Sequence, residues 1–158
     1  MRKYPQLEFD LEKLRGNARA VISRCRGQGI RVCGVVKGAD GLPEVARTLR
    51  QCGAEELGTS RLEQVAKCRA AGVDGPWLLI RIPALTELSA VVSLCETSLQ
   101  SEWTTLAALE RECARQSKTH RVIVMADLGD LREGFWDKDE LVDVCVRVER
   151  ELPHVHLA

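Results

Sequence analysis

The chain has 158 residues, 45% hydrophobic and 29% charged, a size and composition that suit one globular domain with a buried core and exclude a disordered or low-complexity polypeptide. Lys and Arg number 23, as do Asp and Glu, so the formal charge of zero argues against nucleic acid or an anionic membrane surface as partner. No apolar stretch approaches the roughly 20 residues of a bilayer-spanning helix, and Met-Arg-Lys-Tyr-Pro leads into no apolar signal core, so a cytoplasmic protein is expected.

After an extended piece from Gln6 to Asp10, the stripe Leu11, Leu14, Ala18, Val21 and Ile22 predicts a helix from Leu11 to about Arg26, with Asp10 as N-cap and Gly27 and Gly29 ending it. An alternation then repeats: strand Ile30–Val36, helix Pro43–Cys52, strand Glu56–Gly58, helix Arg61–Ala71, strand Trp77–Ile82. It continues with helix Thr86–Val92, strand Glu96–Leu99, helix Glu102–Gln116, strand Arg121–Leu128, helix Lys138–Glu151 and a last strand from His154. Ser60-x-x-Glu63 and Asp137-x-x-Glu140 read as capping boxes, Ser101 as a cap for the helix that follows Leu99, and Pro43 as a first-turn residue. Strands separated by helices imply parallel pairing through right-handed crossovers.

The fold class expected is therefore α/β, built of parallel (βα) units of a TIM-type barrel. The reading gives about six strands where a closed barrel has eight and about 250 residues, so the barrel is incomplete, and the chain stops within a strand at Val155-His-Leu-Ala158. Residues 1–158 show no internal linker and form one unit. A doubly wound sheet is the alternative, and it requires a reversal of strand order.

The most informative stretch is Arg31-Val-Cys-Gly-Val-Val-Lys37-Gly-Ala-Asp-Gly41, an apolar run that ends in one lysine and glycines. Lys37 falls where a strand leaves the core, the rim on which parallel α/β folds carry their chemistry. Half desolvation there disfavours the ammonium and prepares the amine to attack a carbonyl, so Schiff-base chemistry is one reading. The other is an ordinary strand-ending lysine with its stem along the core and its charge in water. Seven dispersed cysteines with no Cys-x-x-Cys pair read as small buried hydrophobes in a reducing compartment. His154-x-His156 places two imidazoles on one face of a strand, but without a third ligand nearby no metal is expected.

Three segments in order carry a family resemblance: Tyr4-Pro-Gln-Leu-Glu-Phe-Asp-Leu-Glu-Lys-Leu-Arg-Gly-Asn-Ala18, Gly34-Val-Val-Lys37, and Val124-Met-Ala-Asp-Leu-Gly-Asp-Leu-Arg-Glu-Gly134. Together they resemble the alanine racemase type of pyridoxal-phosphate enzyme (fold type III). Arg81-Ile-Pro83 and the third segment are most similar to its ornithine racemase-like branch. The resemblance covers essentially the whole chain and corresponds to the N-terminal part of the family's barrel, which in relatives continues and is followed by a mostly β domain. It implies that the parent protein is an amino-acid racemase in which Lys37 forms the internal aldimine with pyridoxal 5'-phosphate and serves as one acid/base. Arg132 matches the family's arginine that approaches the cofactor's phenolic oxygen, and Asp127 either orients Arg132 or caps the turn shaped by Gly129 and Gly134.

Arg81, on the same rim, could meet a substrate carboxylate or pair with a neighbouring acid, and Trp136 could line the entrance, whereas Trp77 and Trp103 read as packing residues. The resemblance further implies a small amino-acid substrate, a homodimer whose second subunit supplies the second base, and an isolated 158-residue piece that is inactive. Alanine racemases usually carry a tyrosine four residues after the lysine, where this chain has Gly41, and often a modified lysine where it has Met125. Both departures favour the ornithine-like branch over alanine as substrate. A non-enzymatic pyridoxal-phosphate carrier and a decarboxylase of the same fold are the rival expectations.

Overall fold

The computed structural model describes Pro5 and residues 7–158. Of the expected extended piece, Gln6 lies outside the described residues, and residues 7–10 join no strand ladder. The chain then runs α1 (Leu11–Arg26), β1 (Cys33–Val35), α2 (Pro43–Gln51), β2 (Glu56–Thr59), α3 (Leu62–Ala70), β3 (Trp77–Leu79) and α4 (Leu88–Leu94). It goes on with β4 (Thr97–Gln100), α5 (Trp103–Gln116), β5 (His120–Val124), α6 (Lys138–Glu151) and β6 (Val155–Leu157). Single 3-10 turns occupy Lys37–Ala39 and Leu85–Glu87.

Asp10 caps α1, its carboxylate accepting from the Glu12 and Lys13 amides at 3.1 and 3.0 Å, and Asp137 caps α6 in the same way through Asp139 and Glu140. Pro43 opens α2. The other two expected caps are corrected. The residues flanking α3 and α5 are Arg61 and Glu102, with no side-chain cap on either helix, and the carbonyl of Ser60 instead accepts from Arg81.

All six strands pair in parallel, in the order β1-β2-β3-β4-β5-β6. Sequential order without reversal is the barrel pattern and rules out the doubly wound alternative. Right-handed crossovers then place the helices that join successive strands, α2 to α6, on one face of the sheet. On that face Val36, Leu57, Val65, Trp77, Leu79 and Val91 form one fully buried cluster, and Leu106, Leu109, Val122, Val148 and Val155 a second. Trp77 is buried as a packing residue, and Trp103 packs against the second cluster with the Arg147 guanidinium 3.6 Å above its ring.

The alternate residues line the inner face. A Cβ on Gly58 would meet Cys33 Sγ at 3.0 Å and Ile80 Cγ2 at 3.3 Å, so the glycine lets β2 curve between its neighbours. This face is only partly covered. Val35 is 50% and Ile123 38% exposed, and β1 and β6 each have a single hydrogen-bonded neighbour. The six strands are an open segment of a barrel, as expected.

Several strands are shorter than the apolar runs suggested. The ladder begins at Cys33 rather than Ile30, β3 stops at Leu79 rather than Ile82, and β5 stops at Val124 rather than Leu128. Beyond Val124 the backbone turns to bridge Ala126 with Phe135, through Phe135 N–H to Met125 O at 2.8 Å and Asp127 N–H to Phe135 O at 2.9 Å.

Candidate active site

Lys37 follows β1 directly, at the carboxyl end of the sheet. Val36 N–H donates to Gly58 O at 2.8 Å as the last link to β2, and the chain then closes into a tight turn. Val36 O accepts from Ala39 and Gly41, both at 3.1 Å, while Asp40 and Gly41 take left-handed conformations with φ of 48° and 59°. Only glycine fits position 41. A Cβ there would lie 2.5 Å from Cβ of Gln64. A tyrosine could not occupy that position in this backbone, which gives the departure at Gly41 a structural reason.

The turn is held from below. Thr59 Oγ1 donates to Gln64 Oε1, Gln64 Nε2 donates to Asp40 Oδ1 at 2.8 Å, and Lys67 Nζ donates to Asp40 O at 3.2 Å. Lys37 itself is exposed and, among the described residues, its amine has no hydrogen-bond or ion-pair partner. The half desolvation expected of it is therefore absent from this chain, because β1 is an edge strand and the inner face beside it is open. An unengaged primary amine at a strand's carboxyl end is nonetheless the donor that an aldehyde requires.

Arg132 lies in the loop after β5. Asp127 organises that loop by accepting from the amides of Gly129 at 2.8 Å and Leu131 at 3.2 Å, and these donors hold its carboxyl below the usual range. Asp127 is thus the cap of the turn. Arg132 pairs with Glu133 at 3.7 Å and projects into solvent. Gly134 has φ of 119°, and a Cβ there would strike Asp127 N at 2.6 Å, so the loop requires this glycine as expected. Leu128 (92% exposed), Leu131 and Trp136 are large apolar side chains left open around Arg132.

Arg81 makes four hydrogen bonds. Its Nε donates to Ser60 O at 2.7 Å, and its Nη atoms form a fork with Glu87 at 2.7 and 2.6 Å, one of them also reaching Ile82 O at 3.2 Å. The Arg81 guanidinium in turn lowers the Glu87 carboxyl pKa. Of the two expectations for Arg81, pairing with a neighbouring acid is the one observed. It braces the loops after β2 and β3, and a substrate carboxylate would compete there with Glu87 and two backbone carbonyls.

Among the thiols, burial pushes Cys33 up to about 11, with help from Glu56, and Cys95 up to about 12, so neither is a nucleophile at neutral pH. His154 Nδ1 is engaged by Glu110 at 2.6 Å. The loops at the carboxyl ends of the strands thus carry the exposed side chains of Lys37 and Arg132, with Gln64 and Asp40 hydrogen-bonded at the Lys37 turn and the Arg81–Glu87 pair joining the loops after β2 and β3. Gln64 was not visible in the sequence as a site residue, because its partner Asp40 lies 24 positions away; Gly41 was the local sign of something packed tightly on the turn.

Residues 9–158 match the family described as "Alanine racemase, N-terminal domain". The chain belongs to the alanine racemase N-terminal domain family. Within related proteins it is 35% identical over 142 residues to the lysine racemase of Thermotoga maritima, covering 90% of this chain and 40% of that protein. It is 33% identical over 138 residues to the ornithine racemase of Acetoanaerobium sticklandii, covering 87% of this chain and 38% of that protein. The alanine racemase of Clostridium difficile 630 superposes with a TM-score of 0.79 at 20% identity, over 92% of this chain and 38% of the other. D-threonine aldolase from Filomicrobium marinum superposes with a TM-score of 0.85 at 17% identity, over 99% and 43%. These two likenesses establish the shared fold. This member of the alanine racemase N-terminal domain family spans about 40% of the length of the curated relatives it matches.

Proposed function

We propose that the protein carrying this chain is a pyridoxal-phosphate-dependent racemase of a basic amino acid, of the lysine or ornithine kind. The observation that carries this reading is a free amine, Lys37, at the carboxyl rim of a barrel segment that is 35% and 33% identical to a lysine and an ornithine racemase. The chemistry of these two side chains suits the cofactor: Lys37 would hold its aldehyde carbon, and the Arg132 guanidinium would stabilise its phenolate oxygen. When bound, pyridoxal phosphate supplies the electron sink that makes an amino acid's Cα–H removable.

On this reading the Lys37 amine would take or return the substrate's Cα proton on one face. Inversion needs a second acid/base on the opposite face, which we assign to the other subunit of a homodimer. Leu128, Leu131 and Trp136 offer apolar area beside Arg132 that such an interface would cover, and the entrance role of Trp136 belongs to the same reading. No helix among the described residues is long and apolar enough to cross a membrane, and seven free thiols suit a cytoplasmic setting. The 158-residue chain alone is expected to bind cofactor weakly and to be inactive, since barrels of this type often hold phosphate with the loops after strands seven and eight.

The test is chiral. The full-length protein, loaded with pyridoxal phosphate, is given single enantiomers of ornithine, lysine and alanine. Loss of optical rotation with ornithine or lysine, fastest among the three, is the expected result. Evolved carbon dioxide, or unchanged rotation with cofactor bound, would replace this reading with the decarboxylase or the carrier.

A further inference from the structure

We infer that Gln64 is a positioning residue for the Lys37 amine, acting through Asp40; the inference rests on the reading of Lys37 given above. Gln64 is 6% exposed, below the turn, and its amide is used at both ends: its oxygen receives the Thr59 hydroxyl and its nitrogen reaches the Asp40 carboxylate at 2.8 Å. Thr59 is the last residue of β2 and fully buried, and its backbone carbonyl is fixed by Ile80 N–H at 3.0 Å. The relay therefore starts from the rigid sheet.

Its other end is the residue that closes the Lys37 turn. Asp40 N–H donates to Lys37 O at 3.2 Å, and Asp40 holds a left-handed backbone conformation that costs a non-glycine residue free energy. The Gln64 amide and the Lys67 ammonium, on Asp40 Oδ1 and O, offset that cost. The missing side chain at Gly41 makes room for Gln64 to reach in. Cys68 Sγ, one helical turn on, donates to Gly41 O at 3.3 Å, so α3 grips the turn at two adjacent residues.

None of these groups needs to touch substrate or cofactor. An amine that must reach one carbon and then one proton depends on the placement of its Cα, and a small displacement there lowers rate more than it lowers affinity. A glutamine suits the relay because it accepts at one end and donates at the other. A glutamate in its place would present an acceptor to the Asp40 carboxylate.

The experiment follows from that polarity. In the full-length protein, Gln64→Glu sets two carboxylates against each other, and kcat should fall about tenfold or more with KM little changed, the scale of a buried hydrogen bond replaced by repulsion. Trapping of pyridoxal phosphate on Lys37 by borohydride should slow alongside it, and amide hydrogen exchange over residues 37–41 should quicken. Adding Asp40→Asn restores a donor facing the introduced carboxylate and should recover most of both losses, whereas Asp40→Asn alone should be close to neutral.

Asp40→Gly keeps the left-handed backbone and removes only an exposed side chain, at the cost of the Gln64 Nε2 hydrogen bond that the relay consists of, so it decides the matter if Gln64→Glu does not fold. It should reproduce the faster exchange and slower trapping. Wild-type trapping and exchange in Asp40→Gly, or a double variant no better than Gln64→Glu, would overturn the inference. Undiminished trapping in Lys37→Ala would instead overturn the reading of Lys37, a distinct result.

Discussion

Arg81 ties the loop after β2 to the loop after β3, and the tie is measurable as a coupling. Because both partners are partly exposed, the fork should contribute only about 1 kcal/mol. A double-mutant cycle of Arg81→Ala and Glu87→Ala, followed by urea unfolding, should return a coupling of about that size, and strictly additive losses would contradict the brace. His120 gives a second residue-scale prediction. It is buried against Ser98 Oγ at 3.0 Å, and burial, partly offset by the Cys95 carbonyl, pushes its pKa from 6.5 down to about 4. Between those values the unfolded state binds the proton and the folded state does not, so its contribution is complete above about 6.5 and is lost as pH falls toward 4. The loss attributable to this side chain is on the order of 3 kcal/mol. Urea midpoints from neutral pH downward should fall more steeply in the wild type than in His120→Gln, and parallel curves would contradict the assignment.

At the scale of elements, the helices were the most legible part. Asp10 and the 3.6-residue stripe that follows predict α1 over the same residues as observed, and Lys138–Glu151 is likewise recovered as α6, because cap and periodicity are local signals. Strand ends were less legible. Val36 looks like strand, is buried like strand and still donates its N–H to Gly58 O, yet the strand stops at Val35, because the Val36 carbonyl turns away from β2 to accept from Ala39 and Gly41. Ser60 and Ser101 resemble caps, but each helix begins one residue later than such a cap requires. The two faces of the sheet lead to a prediction. Leu106→Ala, on the helix side, should cost about 2–5 kcal/mol, whereas Val35→Ala, on the open inner face, should change stability by less than about 0.5 kcal/mol in the 158-residue chain. Equal costs in chemical denaturation would mean that the inner face is already covered.

For the molecule as a whole, strand count and order were readable because each (βα) unit repeats the same signals, and six sequential parallel strands leave little choice of architecture. The chemical site was only half readable. Lys37 and Arg132 stand out by motif, while the supports beneath Lys37 pair Thr59, Gln64 and Asp40 across α2 and β2, a contact that no local pattern encodes. Of the two sequence readings of Lys37, the strand-ending lysine with its charge in water is the one observed, since desolvation at a rim depends on what covers the inner face and β1 has a hydrogen-bonded neighbour on one side only. The proposed chemistry requires that amine to be the point where the cofactor attaches. The most direct measurement is borohydride reduction of the full-length protein with pyridoxal phosphate, followed by proteolysis and mass spectrometry. The expected result is a single pyridoxyl adduct on the peptide bearing Lys37, absent from Lys37→Ala. An adduct on another lysine, or full labelling of the Lys37→Ala protein, would contradict it.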